Sequence, residues 1–338
     1  MVRMTVLGLG FVITVIGGVP MSAATASRPR RCNGRVEYCA LRLDQVALPT
    51  THNSMAARDA GVRFPNQQRT MARQLQDGIR GFQIDAFLGA PRRLAGRRVV
   101  VTDLSGVAQA TITDTVGPRA TEAAVRIRQR VGYPSRDARR EVYLCHNYCE
   151  LGAVSMLDEA RVLAQFLHRH RDEVVVWVVQ DELPPERLLP VLRESGLDRF
   201  VATLDPREPL PTLGAMIDAH RRLVVGLENG DLGPQIPNVF DQGLVQEVPY
   251  RYESVNAFDA PDACQPLRGS ADAPLFQFNH WVTPASSRAA QEVNGFAFLD
   301  ARARRCERER GRVPNLVAVD FYESGDLFRV VRNLNERQ

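Results

Sequence analysis

The sequence of 338 residues predicts an α/β protein built as a (β/α)8 barrel of the TIM type, with a long insertion between the second and third strands. Apolar, strand-like runs alternate with amphipathic stretches, which is typical of parallel strands joined by helices. Eight such runs can be counted along the chain, the number that closes a barrel. No glycine-rich phosphate loop follows the first of them, which disfavours an open doubly wound sheet.

The predicted strands are residues 45–48, 79–85, 142–145, 174–180, 200–202, 222–226, 275–279 and 316–320. Helical periodicity predicts helices over residues 70–76, 156–170, 185–195, 213–220, 287–310 and 326–334.

Two segments interrupt this alternation. Residues 87–140 are too many for one connection and contain their own predicted strand (99–101) and helix (119–130), so we interpret them as an insertion over the mouth of the barrel. Residues 228–272 are rich in Pro, Asn, Asp and aromatic residues, and we expect them to form a long loop that lines the central cleft.

The N-terminus predicts a secretory signal peptide over residues 1–26. Arg3 precedes an apolar run over residues 4–19, and the small residues 22–26 suit a signal peptidase. The apolar run is short for a membrane-spanning helix, although an uncleaved N-terminal anchor is the alternative. We therefore expect a secreted, extracellular protein with one domain over residues 27–338.

The charged residues exclude some classes of function. The net charge is only +4 and the 43 basic residues are scattered along the chain, so nucleic-acid binding is not favoured. Every basic residue is arginine. The absence of lysine excludes Schiff-base chemistry and a P-loop lysine.

The six cysteines, at positions 32, 39, 145, 149, 264 and 306, all lie in the exported part, which fits an oxidising compartment. We favour disulfides 32–39 and 145–149 because both pairs are local, with 264–306 as the remaining pair. A zinc site at Cys145-His146-x-x-Cys149 is the alternative. The sequence has no second compact Cys/His cluster to support it.

Polar side chains follow the predicted strands at their carboxyl ends. His52 and Asn53 follow the first strand, Asp85 ends the second, and His146 follows the third. Such ends converge at the active face of a barrel. Two imidazoles and a carboxylate suit acid–base chemistry on a phosphate ester, because imidazole titrates near pH 7. The same strand-end position is shared by Gln180, Asn279, His280 and Asp320.

Three of these segments, in this order, carry a family resemblance. Thr51-His52-Asn53-Ser54, residues 74–85 and Leu144-Cys145-His146 resemble the X domain of phosphatidylinositol-specific phospholipases C, in its secreted bacterial branch. The likeness resumes at residues 172–181, 275–280 and 314–322, and covers roughly residues 40 to 335. It implies one phospholipase C-like phosphodiesterase domain.

The resemblance implies a phosphoric diester hydrolase or lyase. Such an enzyme cleaves the glycerol–phosphate bond of an inositol phospholipid by attack of the inositol 2-hydroxyl. It implies His52 as the base, His146 as the acid and Asp320 as the group that orients His52. We expect Asn279, His280 and Gln180 to bind substrate. The substrate would be a phospholipid at a membrane surface, and the protein a monomer.

The resemblance also bears on a metal. Asn53 and Asp85 match the calcium-dependent members of the family, whereas metal-independent bacterial members place an arginine two residues after the strand acid. We therefore expect Ca²⁺, with Asn53, Asp85 and Gln83 as ligands. Gln83 and Gln180 stand where calcium-dependent members have glutamate, which weakens the site. Either other carboxylates (Asp181, Glu182 or Glu150) or an arginine from the insertion would then have to compensate.

Two other functions remain open at this point. A glycerophosphodiester phosphodiesterase-like enzyme shares the barrel and histidine pair, but the sequence lacks an evident Glu-x-Asp pair after Ile79. A barrel that binds lipid headgroups or envelope polymers without turnover would explain Gln83 and Gln180. Two titrating imidazoles favour turnover over pure binding. No Gly-x-Ser-x-Gly motif supports a serine hydrolase.

Overall fold

The computed structural model describes residues 29–103, 116–135 and 137–337, together with Met1 and Gly8. The predicted signal peptide lies outside the described residues, apart from these two isolated positions. Within the described ranges, none of the helices combines the length and the apolar character needed to cross a bilayer.

A curled sheet forms the centre of the molecule. Its strands are β1 (Leu48–Thr51), β2 (Gly81–Leu94), β3 (Arg97–Thr102), β4 (Glu141–Leu144), β5 (Val154–Ser155), β6 (Val175–Glu182), β7 (Leu223–Leu227), β8 (Val245–Glu247), β9 (Leu275–His280) and β10 (Leu316–Val319). Seven strands run parallel, in the order β8-β9-β10-β1-β2-β6-β7. Strands β7, β9 and β10 are buried along their whole length. Continuous apolar burial of this kind is typical of parallel sheets.

The helices are α1 (Met71–Asp77), α2 (Pro118–Val131), α3 (Met156–Arg169), α4 (Leu188–Ser195), α5 (Leu213–Asp218), α6 (Ser287–Val293), α7 (Phe296–Arg310) and α8 (Leu327–Asn335). Side chains of Thr70, Ser155, Thr212 and Ser286 accept backbone N–H groups at the starts of α1, α3, α5 and α6. The sequence predicts one helix over residues 287–310. The structure has two, α6 and α7, which Asn294 and Gly295 separate.

The strands bury alternate residues in two apolar cores. On β6, Val175, Trp177 and Val179 belong to the larger core, which they share with side chains of α1, α3, α4, α7 and α8. Val176 and Val178 belong to a second core inside the curled sheet. This alternation follows from the two-residue period of a strand. It decides which strand-end residues face the interior of the sheet and which face the helices.

The structure shows a curled α/β sheet rather than the complete (β/α)8 barrel that the sequence predicts. The predicted strand 142–145 is β4, which runs antiparallel to the middle of β2 (residues 86–89) and forms a side extension with β5. The predicted strand 200–202 follows a 3-10 turn, Asp198–Phe200, and makes only an isolated bridge to β7. Strand β8 lies in the segment that the sequence predicts to be a loop.

Backbone from a loop fills the space between β7 and β8, where the described residues form no ladder. Leu227 and Asn238 make a single parallel bridge, and Val239 N donates to Leu227 O at 2.8 Å. Val245 N in turn donates to Val239 O at 2.9 Å. A Cβ on Gly226 would overlap the Val239 side chain, so glycine permits this close approach.

The insertion extends the sheet at the side where β2 continues beyond its parallel neighbours. Strand β3 and helix α2 confirm the strand and helix predicted within residues 87–140. Buried Glu150 accepts hydrogen bonds from Thr102 Oγ1 at 2.8 Å and from Arg128 Nε at 2.7 Å. These contacts attach the insertion to the loop that carries His146.

Three disulfides join Cys32 to Cys39, Cys145 to Cys149 and Cys264 to Cys306. This is the favoured pairing. Because Cys145 and Cys149 share a bond, neither is free as a zinc thiolate, and the zinc alternative is wrong.

We expect the Cys264–Cys306 bridge to contribute most to stability, because it closes a sequence separation of 42 residues. Changing both cysteines to serine should lower the free energy of unfolding by about 4 kcal/mol. The same change at Cys32 and Cys39, separated by 7 residues, should cost about 2 kcal/mol. Urea unfolding followed by circular dichroism measures both. Equal losses would contradict the dependence on loop length.

Candidate active site

His52 and Asp320 are brought together by the pairing of β1 with β10. Thr51 stands opposite Val319, so the next residue of each strand emerges at the same edge. His52 Nδ1 lies 2.9 Å from Asp320 Oδ1. Asn66 Nδ2 donates to both carboxylate oxygens of Asp320, at 3.1 and 3.2 Å. An ionised Asp320 requires a proton on Nδ1 of His52, which leaves Nε2 as an acceptor toward the cleft.

The turn after β1 is anchored from both sides. Ser54 donates to Gln83 O from its backbone N at 2.9 Å and from its Oγ at 3.1 Å. Gln67 Nε2 donates to His52 O at 2.7 Å and to Val319 O at 3.0 Å. The backbone of His52 is therefore fixed to its neighbours β2 and β10.

The amide of Asn53 lies between the imidazoles and Asp85. One amide atom is 3.0 Å from each Asp85 carboxylate oxygen, and the other is 3.0 Å from Nε2 of His52 and 3.3 Å from Nε2 of His146. If neutral His52 accepts from Asn53 Nδ2, the amide oxygen faces two carboxylate oxygens, and a proton or cation must lie between them. In the reverse orientation of the Asn53 amide, its oxygen accepts hydrogen bonds from Nε2 of His52 and Nε2 of His146, so both nitrogens must carry a proton.

His146 is presented by the loop after β4. Cys145 N donates to Asp85 O at 3.2 Å, and the Cys145–Cys149 disulfide closes the loop around the histidine. The His146 and His52 ring centroids are 6.4 Å apart, with an interplanar angle of 72°. Burial, with a smaller effect of the His52 charge, lowers the pKa of His146 to about 3. The ring is therefore neutral near pH 7 in the free protein.

Asp85 lies at the bottom of the same cleft, only 6% exposed. Burial, reinforced by the charges of Glu228 and Glu182, raises the pKa of Asp85 well above its usual range. Both neighbouring charges are negative, so ionised Asp85 favours a positive ion or a proton beside it.

A polar cluster forms the opposite wall of this cleft, whose volume is about 350 Å³. Arg268 pairs with Glu228 at 2.9 Å and with Glu247, and its guanidinium lies over Phe240 and Tyr250 at 4.2 and 5.0 Å. Burial raises the pKa of Glu228 despite this pairing. The cluster comes from residues 228–272, the segment that we expected to line the cleft.

Gln83 and Gln180 also line the cleft, as predicted. Gln83 Nε2 donates to Asn279 Oδ1 at 3.1 Å, while Gln83 Oε1 is buried and has no hydrogen-bond partner among the described residues. Asn279 itself is fully buried beneath Gln83, where its Nδ2 donates to Glu247 at 2.9 Å. Asn279 thus supports the wall of the cleft from behind Gln83. It is not placed to contact a substrate, contrary to what the sequence predicted.

The prediction that His280 binds substrate is also corrected, because this residue lies outside the cleft. It shares the outer face of β9 with Phe276 and Phe278 and is fully buried. Its Nε2 bonds to Val293 O at 3.0 Å, its Nδ1 lies 3.0 Å from Arg302, and its ring stacks on Phe258. This ring cannot bind a substrate in the cleft.

Trp281, the next residue, faces the cleft instead. Its ring lies parallel to that of His52, with centroids 3.6 Å apart and an interplanar angle of 7°. The indole therefore covers one face of the imidazole and, with Asp320, restricts the rotation of the ring.

Two of the three carboxylates proposed to compensate for the missing glutamates are engaged elsewhere, whereas Glu182 accepts a hydrogen bond from Gln180 Nε2 at 3.0 Å and its charge acts on Asp85. Glu150 pairs with Arg128, and Asp181 accepts from the backbone N–H groups of Asn229 and Gly230 at 2.9 and 2.8 Å. The cleft arginines of the described ranges, Arg251 and Arg268, come from residues 228–272 and not from the insertion. Within those ranges, no three His, Cys, Asp or Glu side chains are grouped to hold a metal.

Sequence reasoning missed several cleft residues. The sequence could have indicated only two of them. Glu228 directly follows β7, and Trp281 directly follows β9, on the face of the strand opposite to that of His280. Asn66 and Arg268 lie in connections whose path the sequence does not specify, and Glu247 ends β8, a strand that the sequence did not predict.

Comparison with known proteins places this geometry in a family. A family model described as PI-PLC X 1 matches residues 121–335. An uncharacterized secreted protein of Arthroderma benhamiae is 22% identical over 95% of this chain and 69% of its own length. A PI-PLC X domain-containing protein of Arabidopsis thaliana is 23% identical. The matched region covers 84% of this chain and 60% of the length of that relative.

Solved structures of a phosphatidylinositol-specific phospholipase C from Staphylococcus aureus are also similar. One is 11% identical, with a TM-score of 0.44 over 83% of this chain and 87% of the other. The disulfides and the relative named as secreted are consistent with an extracellular location. Because the family model matches more than half of the residues, the chain belongs to the PI-PLC X family.

Proposed function

We propose that the protein is a secreted phosphodiesterase of the phospholipase C type that cleaves the glycerol–phosphate bond of an inositol phospholipid. One observation carries the proposal: His52, oriented by buried Asp320, and His146 lie 6.4 Å apart at one cleft. This spacing allows the two rings to contact different oxygens of a single phosphate. The predicted signal peptide and the disulfides support secretion.

The inositol 2-hydroxyl attacks the neighbouring phosphorus. Such an intramolecular attack gains an effective concentration on the order of 10⁵ M or more when aligned. His52 Nε2 accepts the hydroxyl proton, and Asp320 stabilises the resulting imidazolium. The bond between phosphorus and the glycerol oxygen breaks, and His146 donates a proton to that oxygen. A cyclic inositol phosphate and an alcohol are the products.

His146 must be protonated before it can donate. The pKa of about 3 in the free protein leaves it neutral near pH 7. A phosphodiester anion beside the ring favours its charged form. We infer that His146 takes up its proton when substrate binds, because the negative charge of the phosphodiester stabilises the imidazolium that then acts as the acid.

The polar wall of the cleft suits a polyol headgroup. Glu228, Glu247, Arg268 and Gln180 place carboxylates, a guanidinium and an amide around one space. These groups offer both acceptors and donors to ring hydroxyls. A site that uses its buried polar groups in this way rejects a headgroup without hydroxyls, because they would be left unpaired.

The residues at the bottom of the cleft fit a calcium ion. Asp85 has negative neighbours, the buried Gln83 Oε1 lacks a partner in the described part of the chain, and the Asn53 amide adjoins Asp85. Carboxylate and amide oxygens are the ligands that calcium prefers. When bound, the ion would neutralise charge on the phosphoryl oxygens. With one carboxylate among three ligands, we expect modest affinity.

We expect His52→Ala and His146→Ala each to lower kcat/KM on phosphatidylinositol by about 10²- to 10⁴-fold, because each removes one proton transfer. His168→Ala, which changes an exposed histidine on α3, is the matched control and should retain full activity. Release of diacylglycerol from vesicles by the mature protein measures the rates. Activity that survives both substitutions would exclude this mechanism. Binding of headgroup without turnover by the wild type would instead support the headgroup-binding alternative.

We expect Gln83→Glu to tighten calcium binding by about 10-fold, because it adds a second anionic ligand. Asp85→Asn should abolish binding, and Gln265→Glu, on the exposed surface, is the control for added charge. Isothermal titration calorimetry with CaCl₂ gives the affinities, and a chelator should lower the activity of the wild type. Failure of both wild type and Gln83→Glu to bind calcium would remove the metal from the proposal.

We expect substitutions at two adjacent residues, His280 and Trp281, to affect different properties: stability for His280 and activity for Trp281. Trp281→Leu should lower kcat about 10-fold, since the imidazole loses a stacking partner, and Trp281→Phe should restore most of it. His280→Leu should instead cost about 2 kcal/mol of stability, because Arg302 and Val293 O lose a partner. Its kcat/KM should stay within two-fold. Steady-state kinetics and urea unfolding of the variants distinguish the two roles. A large KM increase in His280→Leu would return His280 to the substrate site.

A further inference from the structure

A second cavity, of about 280 Å³, adjoins the catalytic cleft at His146. Asn66, His146 and Ala285 line both spaces. We name the second space the apolar cavity, because apolar residues predominate in its lining; they include Val62, Pro65, Ala120, Tyr148, Leu151 and Phe321. It has no part in the headgroup contacts described above.

The two spaces differ in chemical character. The catalytic cleft is lined by the carboxylates of Asp85, Glu228, Glu247 and Asp320. No aspartate or glutamate is among the described residues that line the apolar cavity. Its charged side chains are arginines at positions 58 and 63, both exposed. A molecule that spans both spaces would therefore be polar at one end and apolar at the other.

Tyr148 adds a specific polar group to the apolar cavity. The side chain is 2% exposed, and its hydroxyl has no hydrogen-bond partner among the described residues. Buried tyrosine hydroxyls usually find a partner. The hydroxyl has under 1 Å² of accessible surface, so an ester carbonyl of a ligand in this cavity would accept its hydrogen bond only after the atoms that cover it move.

We propose that the apolar cavity is the subsite for the leaving alcohol, and that it takes the ester-bearing part of a glyceride. This inference rests on the proposed function and deepens it. The enzyme then discriminates acylated phosphodiesters from deacylated ones by contacts on the far side of the scissile bond.

The direction of the reaction supports this placement. The phosphorus–oxygen bond that breaks releases an alcohol whose oxygen receives the proton of His146, so the carbon skeleton of that alcohol must lie beside this ring. His146 lines the apolar cavity as well as the cleft. The attacking hydroxyl lies beside His52, which lines the cleft that contains the polar wall but does not line the apolar cavity. A lipid phosphodiester bound in the opposite direction would place acyl esters against buried carboxylates.

The insertion takes part in this subsite. Val116, two residues before α2, and Ala120, in its first turn, line the apolar cavity. The contacts of Glu150 with Thr102 and Arg128 fix the insertion to the His146 loop. Residues 87–140 would thus contribute leaving-group selectivity, which the sequence alone did not assign to them.

The experiment compares two soluble substrates with the same headgroup, dihexanoyl-phosphatidylinositol below its micellar concentration and glycerophosphoinositol. We expect the wild type to prefer the acylated substrate by at least about 10-fold in kcat/KM, as expected for apolar groups that fill a pocket. Ala120→Phe fills the cavity and should bring this ratio to within about three-fold of unity. Tyr148→Phe, which keeps the ring, should lower the ratio several-fold. Ala301→Phe, an equal change at an exposed position of α7, is the control and should keep the wild-type ratio.

Each result decides the inference. A wild-type ratio near unity, or a ratio that neither Ala120→Phe nor Tyr148→Phe changes, would overturn the subsite while leaving the phosphodiesterase in place. Failure of the wild type to cleave either substrate would overturn the proposed function, and the subsite with it. If Ala120→Phe fails to fold, Tyr148→Phe alone carries the test.

Discussion

The pairing of β1 with β10 is the constraint on which the site depends. These strands come from opposite ends of the chain, yet Thr51 stands opposite Val319 in a parallel ladder. That register places the imidazole of His52 against the carboxylate of Asp320, which is buried and is held by two hydrogen bonds from Asn66. A slip of one residue would turn Asp320 toward the helices, because alternate residues face opposite sides. The orientation of the proposed base is therefore decided when the first and last strands of the sheet pair.

The residues after the three proposed catalytic groups share a backbone feature. Asn53, Asn147 and Phe321 follow His52, His146 and Asp320 and have left-handed backbone, with φ of 45°, 59° and 46°. Asparagine tolerates this region, whereas phenylalanine adopts it at a cost of about 1 kcal/mol or more. Each turn redirects the chain immediately after the functional side chain. The imidazoles and the carboxylate can thus remain at the strand ends while the chain returns to the helices.

The sequence predicted the parts of the fold that local patterns encode. Strands β1, β2, β6, β7, β9 and β10 were placed within a few residues, except that β2 continues to Leu94, because apolar runs between helices carry that information. The direction of β4 was missed, since a short strand looks the same whether it runs parallel or antiparallel. The placement of His280 could have been predicted: Phe276, Phe278 and His280 share one face of a strand, and Asn279 and Trp281 share the other. Glu247 and Arg268 could not, because their partners are fixed only by tertiary packing.

In the proposed mechanism, the charges in the cleft link substrate binding, proton uptake and cation binding. Burial raises the pKa of Asp85 and of Glu228, so negative charge in this cleft is already costly before a phosphodiester anion enters. A proton on His146 or a cation beside Asp85 offsets that cost, and the anion favours both. By thermodynamic reciprocity, each of these must also favour binding of the anion. The resemblance implies glutamates at the positions of Gln83 and Gln180. In the proposed reaction the two amides therefore add no negative charge that would oppose the substrate anion in the absence of a metal. We expect the same amides to weaken the proposed calcium site, so that a lower metal affinity accompanies a smaller electrostatic penalty when the metal is absent.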